Sequence, residues 1–585
     1  MSTPNSADMA SPPFPIDLPF SLASLLHFAL SDPFTQTLAK SAANRFFDAS
    51  YLPGSSPLDE DDGKPGQMTR EARVVVRTTG DEGRGCWGLL PLEWREYFDG
   101  FATAEERMDM LKDLANGERE DFPPSLQAFL YSCRSMSFDR TCSPVPVLSY
   151  PPRPSTSSSS PADLSLNKDS VALHEKDEKK PKIKGERNAR RLNVKNAMKA
   201  GQSDKKEHEV QQLSRLVQDL KSEAPLTHCV DVGSGRAHLS RALSSPPLNL
   251  HTLAIDWSSS QAAGAAKLDE IRSKAELGPT EGSLVHEVES LDEEGVGRAL
   301  ARWPPPPKEE EGAGKERAPP SLLVALHACG DLTPDAIKAF IRSDTEQGGA
   351  GGRREGARAI FVGCCYNLQT PSLFPLSSLI HSTASQPPQM QLHHLRLTPQ
   401  SPPTWHLTPS STAAFLSSTL KIAFRARFEA ELAAAGVGEE DERRVGRVAE
   451  GREWKVYRVR AREKYDYGRT KLGAEEVPAV RFGLGRAGGE EGGEEEEETE
   501  WQTALFRLRV FWTLRSWLGP VLETLCVVDR FAFLCEGLRH EWAEEGAGDQ
   551  DGEDGSGKKR KRRVELVNVF DQGTGSLRNL ALVVR

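Results

Sequence analysis

The sequence contains no apolar run of the roughly 18 residues that a membrane-spanning helix requires. Its start, MSTPNSADMASPPFP, also lacks the basic segment and apolar core of a secretory leader. None of the nine cysteines forms a Cys-x-x-Cys pair, so no disulfide framework is indicated. These absences predict a protein with reduced thiols, without membrane association, located in the cytoplasm and/or the nucleus.

The composition indicates that the 585 residues do not form one continuous core, because 40 prolines, 48 glycines and long polar tracts interrupt the chain. We predict a helical N-terminal accessory domain over 1–150, a disordered Ser/Pro-rich and then Lys/Arg-rich linker over 151–194, and a second domain over 195–585. Four stretches of the second domain are predicted to be disordered inserts, near 304–320, 348–356, 439–500 and 544–563.

The N-terminal region carries apolar residues at helical spacing but no catalytic constellation. A packed accessory role is therefore expected, with substrate recognition as the alternative. The net charge of −11 argues against a generally basic, nucleic-acid-binding surface, although local patches remain basic. One such patch, Lys558–Arg563, is typical of a nuclear import signal or a nucleic-acid contact, but acidic stretches that could neutralise it lie nearby.

The most informative stretch is Thr227–Arg241, which combines a β-prone apolar run, a glycine turn and the start of a helix. The turn is Gly233-Ser234-Gly235. Glycines let the backbone approach a ligand closely, and unpaired N–H groups at a helix start point towards polar ligand atoms. This pattern predicts a binding site for a nucleotide-like molecule.

Strand and helix patterns alternate after this turn, which predicts a parallel sheet covered on both faces. Two late strand patterns, Val564–Phe570 and Leu577–Val584, are joined by a short glycine turn, so they are expected to form an antiparallel hairpin. The predicted fold class is α/β: a Rossmann-like sheet of seven strands that ends in this hairpin, with the helical N-terminal domain beside it.

The sequence lacks the third glycine of the NAD fingerprint, because His238 occupies that position, and this counts against a dehydrogenase. Asp256 closes the next strand, where its carboxylate can accept both hydroxyls of a ribose. Asp231 can orient the turn or contact a cationic methionine group. With the terminal hairpin, these features favour S-adenosylmethionine as the cofactor. The residues predicted to bind it are Asp231, Gly233, Ser234, Gly235, His238, Asp256 and Trp257.

Ligands of open α/β sheets bind beyond the carboxyl ends of the strands, where His327–Asp331 and Gly363–Asn367 are expected to lie. His327 is the candidate general base, and Asp331 or Asn367 could position a methyl acceptor. The alternative for His327 is an ordinary hydrogen-bonded residue at a strand end. A zinc site of His327, Cys329, Cys364 and Cys365 was considered, but the spacing matches no standard site and no metal is predicted.

Several motifs together resemble the methyltransferase-like 25 family, also called ribosomal RNA adenine dimethylase domain-containing proteins. They are the glycine turn from Asp231 to Ser240, Ala254–Asp256, Leu326–Thr333, Gly363–Tyr366, Lys205–Val210, Val528–Arg530, Phe570–Asp571 with Ser576–Leu580, and Leu92–Phe98. The resemblance covers most of the chain outside the inserts and implies a class I methyltransferase fold and activity.

Two positions depart from that family's pattern: Asn367 stands where histidine is frequent, and Asp204 replaces a proline. The chain also has His327-Ala-Cys-Gly330 where an adenine dimethylase would have an Asn/Asp-Pro-Pro-aromatic tetrapeptide to hold a flipped base. Adenine N6 dimethylation is therefore not predicted.

We predict an S-adenosylmethionine-dependent methyltransferase acting on a macromolecular acceptor, with RNA favoured over protein because of the basic linker and the resemblance. The alternative is a non-catalytic module that binds S-adenosylmethionine or a partner through the same fold. The sequence leaves the methylated atom and the oligomeric state open.

Overall fold

The computed structural model describes residues 16–41, 46, 85–143, 145–152, 202–274, 281–304, 321–346, 357–384, 388–434, 437, 445, 446, 448, 453–466, 494–538, 562–573 and 577–585. The chain divides into two compact units. The first comprises 1–23, 138–395 and 525–585, and the second comprises 24–137 and 396–524.

Within the described residues, sixteen α-helices are formed. In chain order they are α1 (Leu22–Leu30), α2 (Pro33–Lys40), α3 (Leu92–Asp99), α4 (Ala104–Asn116), α5 (Pro124–Ser135), α6 (Asp204–Glu223), α7 (His238–Leu243), α8 (Ser259–Lys274), α9 (Glu293–Arg302), α10 (Leu332–Glu346), α11 (Ser378–Thr383), α12 (Leu392–Leu397), α13 (Pro409–Ala434), α14 (Trp454–Asp466), α15 (Glu494–Ser516) and α16 (Leu518–Gly537).

A mixed sheet forms the centre of the first unit. Its strands are β1 (Leu148–Tyr150), β2 (His228–Val232), β3 (His251–Asp256), β4 (Leu284–Val288), β5 (Ser321–Ala328), β6 (Arg358–Gly363), β7 (Val564–Asn568) and β8 (Leu580–Val584). The order is β1-β7-β8-β6-β5-β2-β3-β4. Strands β2 to β6 are parallel, whereas β8 is antiparallel to both β6 and β7. The predicted α/β fold with a terminal antiparallel hairpin is confirmed.

The central strands form because they are buried on both faces. All six residues of β6 are buried, and β5 is buried except at His327, as expected of parallel strands covered by helices. Helix α6 packs its apolar face into the same core, where Leu213, Val217 and Leu220 are fully buried. Its first turn is capped by Ser203, whose side chain accepts a hydrogen bond from the Lys206 amide.

The sheet has one more strand than the seven predicted. Strand β1 pairs antiparallel with β7 at the sheet edge, and the Val147 amide donates to the Leu566 carbonyl over 2.7 Å. Its residues fall within the predicted helical domain 1–150. The strand was missed because it is three residues long and lies between prolines, a composition tolerated only at a sheet edge.

The second unit combines segments that are distant in sequence. The Trp517 indole N–H donates to the Leu114 carbonyl over 2.9 Å, and the Arg107 guanidinium donates to the Thr503 hydroxyl over 3.0 Å. Residues 396–524, predicted to belong with the 195–585 domain, thus group with the N-terminal helices instead. Apolar periodicity reveals that a helix has a buried face but does not identify the element that covers it.

One predicted disordered insert, 439–500, needs correction. It contains helix α14 and the beginning of α15. Helix α14 buries Tyr457, Ala461 and Tyr465, which are spaced four residues apart along one helical face. The many charged residues between them concealed this pattern.

The insert 348–356 lies entirely outside the described residues, and the linker 151–194 and the inserts 304–320 and 544–563 lie outside them except at their ends. The last two residues of the basic run are described. Arg562 forms an ion pair with Asp344 at 2.8 Å, and Arg563 lies 3.5 Å from a carboxylate oxygen of Glu565. None of the helices in the described ranges combines the length and apolar character that crossing a bilayer requires.

Candidate methyltransferase site

The glycine turn between β2 and α7 is held by the neighbouring strand. The amides of Gly233 and Ser234 donate to the Ile255 carbonyl over 3.0 and 3.1 Å. Gly233 and Gly235 have φ values of +70° and +55°, in the left-handed region where glycine is least strained. A Cβ on Gly235 would meet nothing within 4 Å. The turn therefore has a fixed backbone, with open space beside Gly235.

Asp256 lies at the end of β3 and contacts the turn directly. Its Oδ2 accepts a hydrogen bond from the Gly235 amide and its Oδ1 from the Ser258 amide, each over 2.9 Å. Trp257 follows, with 72 % of its surface exposed. Asp256 and Trp257 are thus consecutive residues at the carboxyl end of β3. Their roles in cofactor binding remain predictions.

Asp231 is buried at the end of β2, with 2 % of its surface exposed. Its carboxylate accepts a hydrogen bond from the Ser240 hydroxyl of helix α7 over 2.5 Å. Burial raises the pKa of Asp231 to about 6, although the Ser240 hydrogen bond and the Lys206 charge oppose the shift. Of the two roles predicted for Asp231, orienting the turn fits this contact better than binding a ligand does.

The raised pKa of Asp231 predicts a pH dependence of stability. The folded chain holds this proton more tightly than the unfolded chain, whose carboxyl group titrates near pH 3.9. The resulting stabilisation is present below about pH 4 and is lost as the pH rises through about 6, a loss of roughly 3 kcal/mol. Asp231→Asn cannot titrate at this position. Its stability relative to the wild type should therefore increase by roughly 3 kcal/mol as the pH rises from about 4 to above about 6. Chemical denaturation of both proteins across this range would measure it, and a constant difference would contradict the assignment.

His238 begins helix α7 on the other side of the turn. Burial lowers its pKa to about 4, and the positive charges of Arg241, Lys206 and Arg236 add to the effect. The imidazole is therefore neutral at physiological pH. A neutral ring at this place can donate one hydrogen bond and accept another without adding charge to the turn.

His327 occupies an unusual backbone position at the carboxyl end of β5. The strand register shifts between Leu326 and Ala328, and His327 has a φ of +61°, which is rare for a residue with a Cβ. The bulge turns the imidazole towards helix α6, where Nε2 lies 2.7 Å from Oε2 of Glu209. Backbone strain of this kind is concentrated at functional sites.

Glu209 is a candidate site residue that was not predicted from the sequence, although it lies in the Lys205–Val210 motif of the family resemblance. It is 1 % exposed, and although burial raises its pKa, the hydrogen bond with His327 and the charges of Lys206 and Lys205 lower it overall. Glu209 precedes Leu213 by four residues and thus shares the apolar face of helix α6. A carboxylate on a buried helical face was the signal that could have identified it.

Lys206, one turn before Glu209, was also overlooked. Burial lowers its pKa, while the negative charges of Glu209 and Asp231 oppose that shift. Its ammonium group therefore lies near two carboxylates, that of Asp231 at the end of β2 and that of Glu209 in helix α6, and attracts both.

The loops after β5 and β6 are tied together by backbone and side-chain contacts. The Gly330 amide donates to the Cys365 carbonyl over 3.2 Å, and Asp331 accepts from the amide and the hydroxyl of Thr370 over 2.7 and 2.6 Å. Both Asp331 oxygens are thus engaged within the protein, which weakens its predicted role in holding an acceptor. Asn367 is half-buried in the short 3-10 helix Tyr366–Leu368.

Three of the four residues considered for zinc converge at these loops. The Sγ atom of Cys364 lies 3.2 Å from that of Cys329 and 3.5 Å from that of Cys365. The fourth, His327, presents Nε2 to Glu209 instead. The linear spacing of the cysteines matches no standard metal site, because two separate strands bring them together.

Residues 205–370 match the family described as a methyltransferase domain. This match covers the turn, the strands and both loops of the site, and it confirms the prediction that the chain carries a methyltransferase domain.

Two solved structures are similar over part of the chain. One is an S-adenosylmethionine-dependent methyltransferase from Clostridium acetobutylicum, with 16 % identity over 31 % of this chain and 58 % of that chain, at a TM-score of 0.16. The other is the plantazolicin methyltransferase BpumL in complex with SAH, with 12 % identity over 40 % of this chain and 75 % of that chain, at a TM-score of 0.17. Because both TM-scores are low, the assignment of a methyltransferase domain depends on the family match over residues 205–370.

Proposed function

We propose that this protein transfers a methyl group from S-adenosylmethionine to a macromolecular acceptor, with RNA favoured over protein. The observation that carries the proposal is the pair formed by His327 and Glu209 at a strained strand end within a methyltransferase domain. An imidazole held by a buried carboxylate is a common arrangement for a general base.

The groups around the glycine turn suit S-adenosylmethionine, which when bound supplies a methyl group activated by a sulfonium. Each oxygen of Asp256 accepts one hydrogen bond from a backbone N–H. Because an ionised carboxylate can accept about four hydrogen bonds, Asp256 can still accept one from each of two ribose hydroxyls. The exposed face of Trp257 can stack on an adenine ring. Gly235 leaves room for the ligand to approach the backbone.

His327 is the residue to which we assign proton transfer. A neutral imidazole that donates from Nε2 to Glu209 keeps its lone pair on Nδ1. In the proposed step, the acceptor nucleophile forms a bond to the methyl carbon, and Nδ1 of His327 takes the proton that the nucleophile loses. The electron pair of the broken carbon–sulfur bond stays on sulfur. Glu209 stabilises the imidazolium that results.

The preference for RNA follows from sequence features. The Lys/Arg-rich part of the linker 151–194 provides local positive charge, and the resemblance to the methyltransferase-like 25 family points the same way. The helical N-terminal region is the candidate for acceptor recognition. A cytoplasmic and/or nuclear location is part of the proposal, since RNA is available in both.

The test is incubation of the purified full-length protein with methyl-labelled S-adenosylmethionine and separately purified cellular RNA and protein. We expect label in the RNA fraction, removed by ribonuclease and absent with His327→Ala. Label in the protein fraction, removed by protease, would assign a protein acceptor.

The same experiment decides the non-catalytic alternative, which is motivated by the absent Asn/Asp-Pro-Pro-aromatic tetrapeptide. Binding of S-adenosylhomocysteine measured by calorimetry, without label in any fraction, would indicate a module that binds the cofactor but does not transfer its methyl group. Absence of both binding and label would overturn the cofactor assignment as well.

A further inference from the structure

Three cysteine thiols are held together at the carboxyl ends of β5 and β6. All three Sγ atoms lie within 4.8 Å of one another. Cys329 is exposed, Cys365 is half-buried and Cys364 is buried. Within the described ranges, no ligand atom of a histidine, aspartate or glutamate joins this group.

The backbone enforces this proximity. Gly330 has a φ of +57°, and a Cβ at this position would lie 2.8 Å from the Leu368 carbonyl oxygen. The Gly330 and Leu368 amides both donate to the Cys365 carbonyl, over 3.2 and 2.9 Å. The loops after β5 and β6 are thus in close contact at Gly330, a position that only glycine can occupy. This contact holds the sulfur atoms near one another without a bound ligand.

We propose that Cys329, Cys364 and Cys365 form a zinc site with three thiolate ligands and a fourth position open to solvent. A tetrahedral site with Zn–S bonds of about 2.3 Å separates its sulfur atoms by about 3.8 Å. The observed separations of 3.2 and 3.5 Å are shorter by a few tenths of an ångström. To admit the ion, these two distances must increase by about 0.6 and 0.3 Å.

The charges near the cluster suit three thiolates around a divalent ion. The sulfur atoms of Cys329 and Cys364 are close enough to share a hydrogen bond, at 3.2 Å. Zinc is bound by thiolates, so it displaces the thiol protons as it binds. Three thiolates and Zn²⁺ leave one negative charge, which Lys206 and Arg578 can balance.

The site does not depend on the proposed methyl transfer, so its test uses metal binding alone. Purified full-length protein is reduced, equilibrated with Zn²⁺, freed of excess metal and analysed by mass spectrometry for metal content. We expect about one zinc ion per chain, bound to sulfur at about 2.3 Å in X-ray absorption spectra. Cys329→Ser, at the exposed ligand, should lose the ion.

The matched control is Cys142→Ser, which removes an exposed thiol whose sulfur lies 3.6 Å from the Asn568 carbonyl oxygen, outside the cluster. Equal zinc content in the Cys142→Ser and Cys329→Ser proteins would overturn the proposal. Alkylation of the wild-type protein gives a second measurement that needs no variant. Zinc should protect the three cluster cysteines but not Cys142.

A disulfide between Cys329 and Cys364 is the competing outcome. It would leave the protein two hydrogens lighter after mild oxidation by peroxide and would restore the mass on thiol reduction. If that bond forms and the reduced protein binds no zinc, the cluster is a redox pair and the metal site is rejected.

Discussion

His327→Asn is expected to lower the rate of methyl transfer by about 10²–10⁴-fold, the range for loss of a general base, without changing the affinity for S-adenosylhomocysteine. Asparagine is chosen because it tolerates the left-handed backbone that His327 adopts, whereas alanine adds strain at the same φ. The variant therefore removes the imidazole while preserving the bulge in β5. Single-turnover rates with labelled cofactor would measure the effect, together with calorimetric binding.

The same substitution leaves the buried Glu209 carboxylate without its hydrogen-bond donor, which costs roughly 1–3 kcal/mol or more. The double variant Glu209→Gln/His327→Asn removes that charge as well. We expect it to recover most of the lost stability but none of the lost rate. A rate that recovers together with stability would mean that the pair only supports the fold.

Two further variants sharpen this comparison. Glu209→Gln alone should slow transfer less than His327→Asn does, because it disturbs the positioning and charge of the imidazole but keeps the base. His381→Ala, at an exposed histidine of helix α11, is the control for nonspecific effects and should leave the rate unchanged. A wild-type rate in His327→Asn would remove His327 from the mechanism.

The fold was predictable from sequence where it depends on local pattern. Four strands, β2, β3, β5 and β6, are short apolar segments flanked by turn residues. Segments of this kind usually form parallel strands that are buried on both faces. Strand β1 was not predictable, because three residues between prolines carry no periodic signal and form a strand only where β7 offers a free edge.

The site was predictable to the extent that residues follow strand ends. Asp256 and His327 could be placed at the carboxyl edge because each closes an apolar run. The partners of these residues could not be placed. Glu209 reaches His327 from a helix 118 residues earlier, and Cys329 meets Cys364 across 35 residues. Such contacts depend on how helix α6 and two loops pack in three dimensions, which spacing along the chain does not encode.

Asp256→Ala is expected to weaken binding of S-adenosylhomocysteine by about 1–3 kcal/mol, or roughly 5- to 150-fold, the range for hydrogen bonds to a charged group. Asp256 has a second role besides the proposed contact with the ribose. It accepts hydrogen bonds from the amides of Gly235 and Ser258 and so shapes the turn. Asp256→Asn keeps one carbonyl oxygen for this structural role and should lose less affinity. Isothermal titration calorimetry would measure both variants against the wild type.

An analogue of S-adenosylhomocysteine without its ribose hydroxyls separates these roles further. If the carboxylate holds the ribose, Asp256→Asn should weaken binding of the intact ligand much more than binding of the analogue. Asp292→Ala is the matched control, because Asp292 caps helix α9 through the Gly295 amide over 2.8 Å, and its loss costs stability of about 1 kcal/mol rather than affinity. Equal losses for both ligands in Asp256→Asn would mean that the carboxylate acts through the glycine turn and does not contact the ribose.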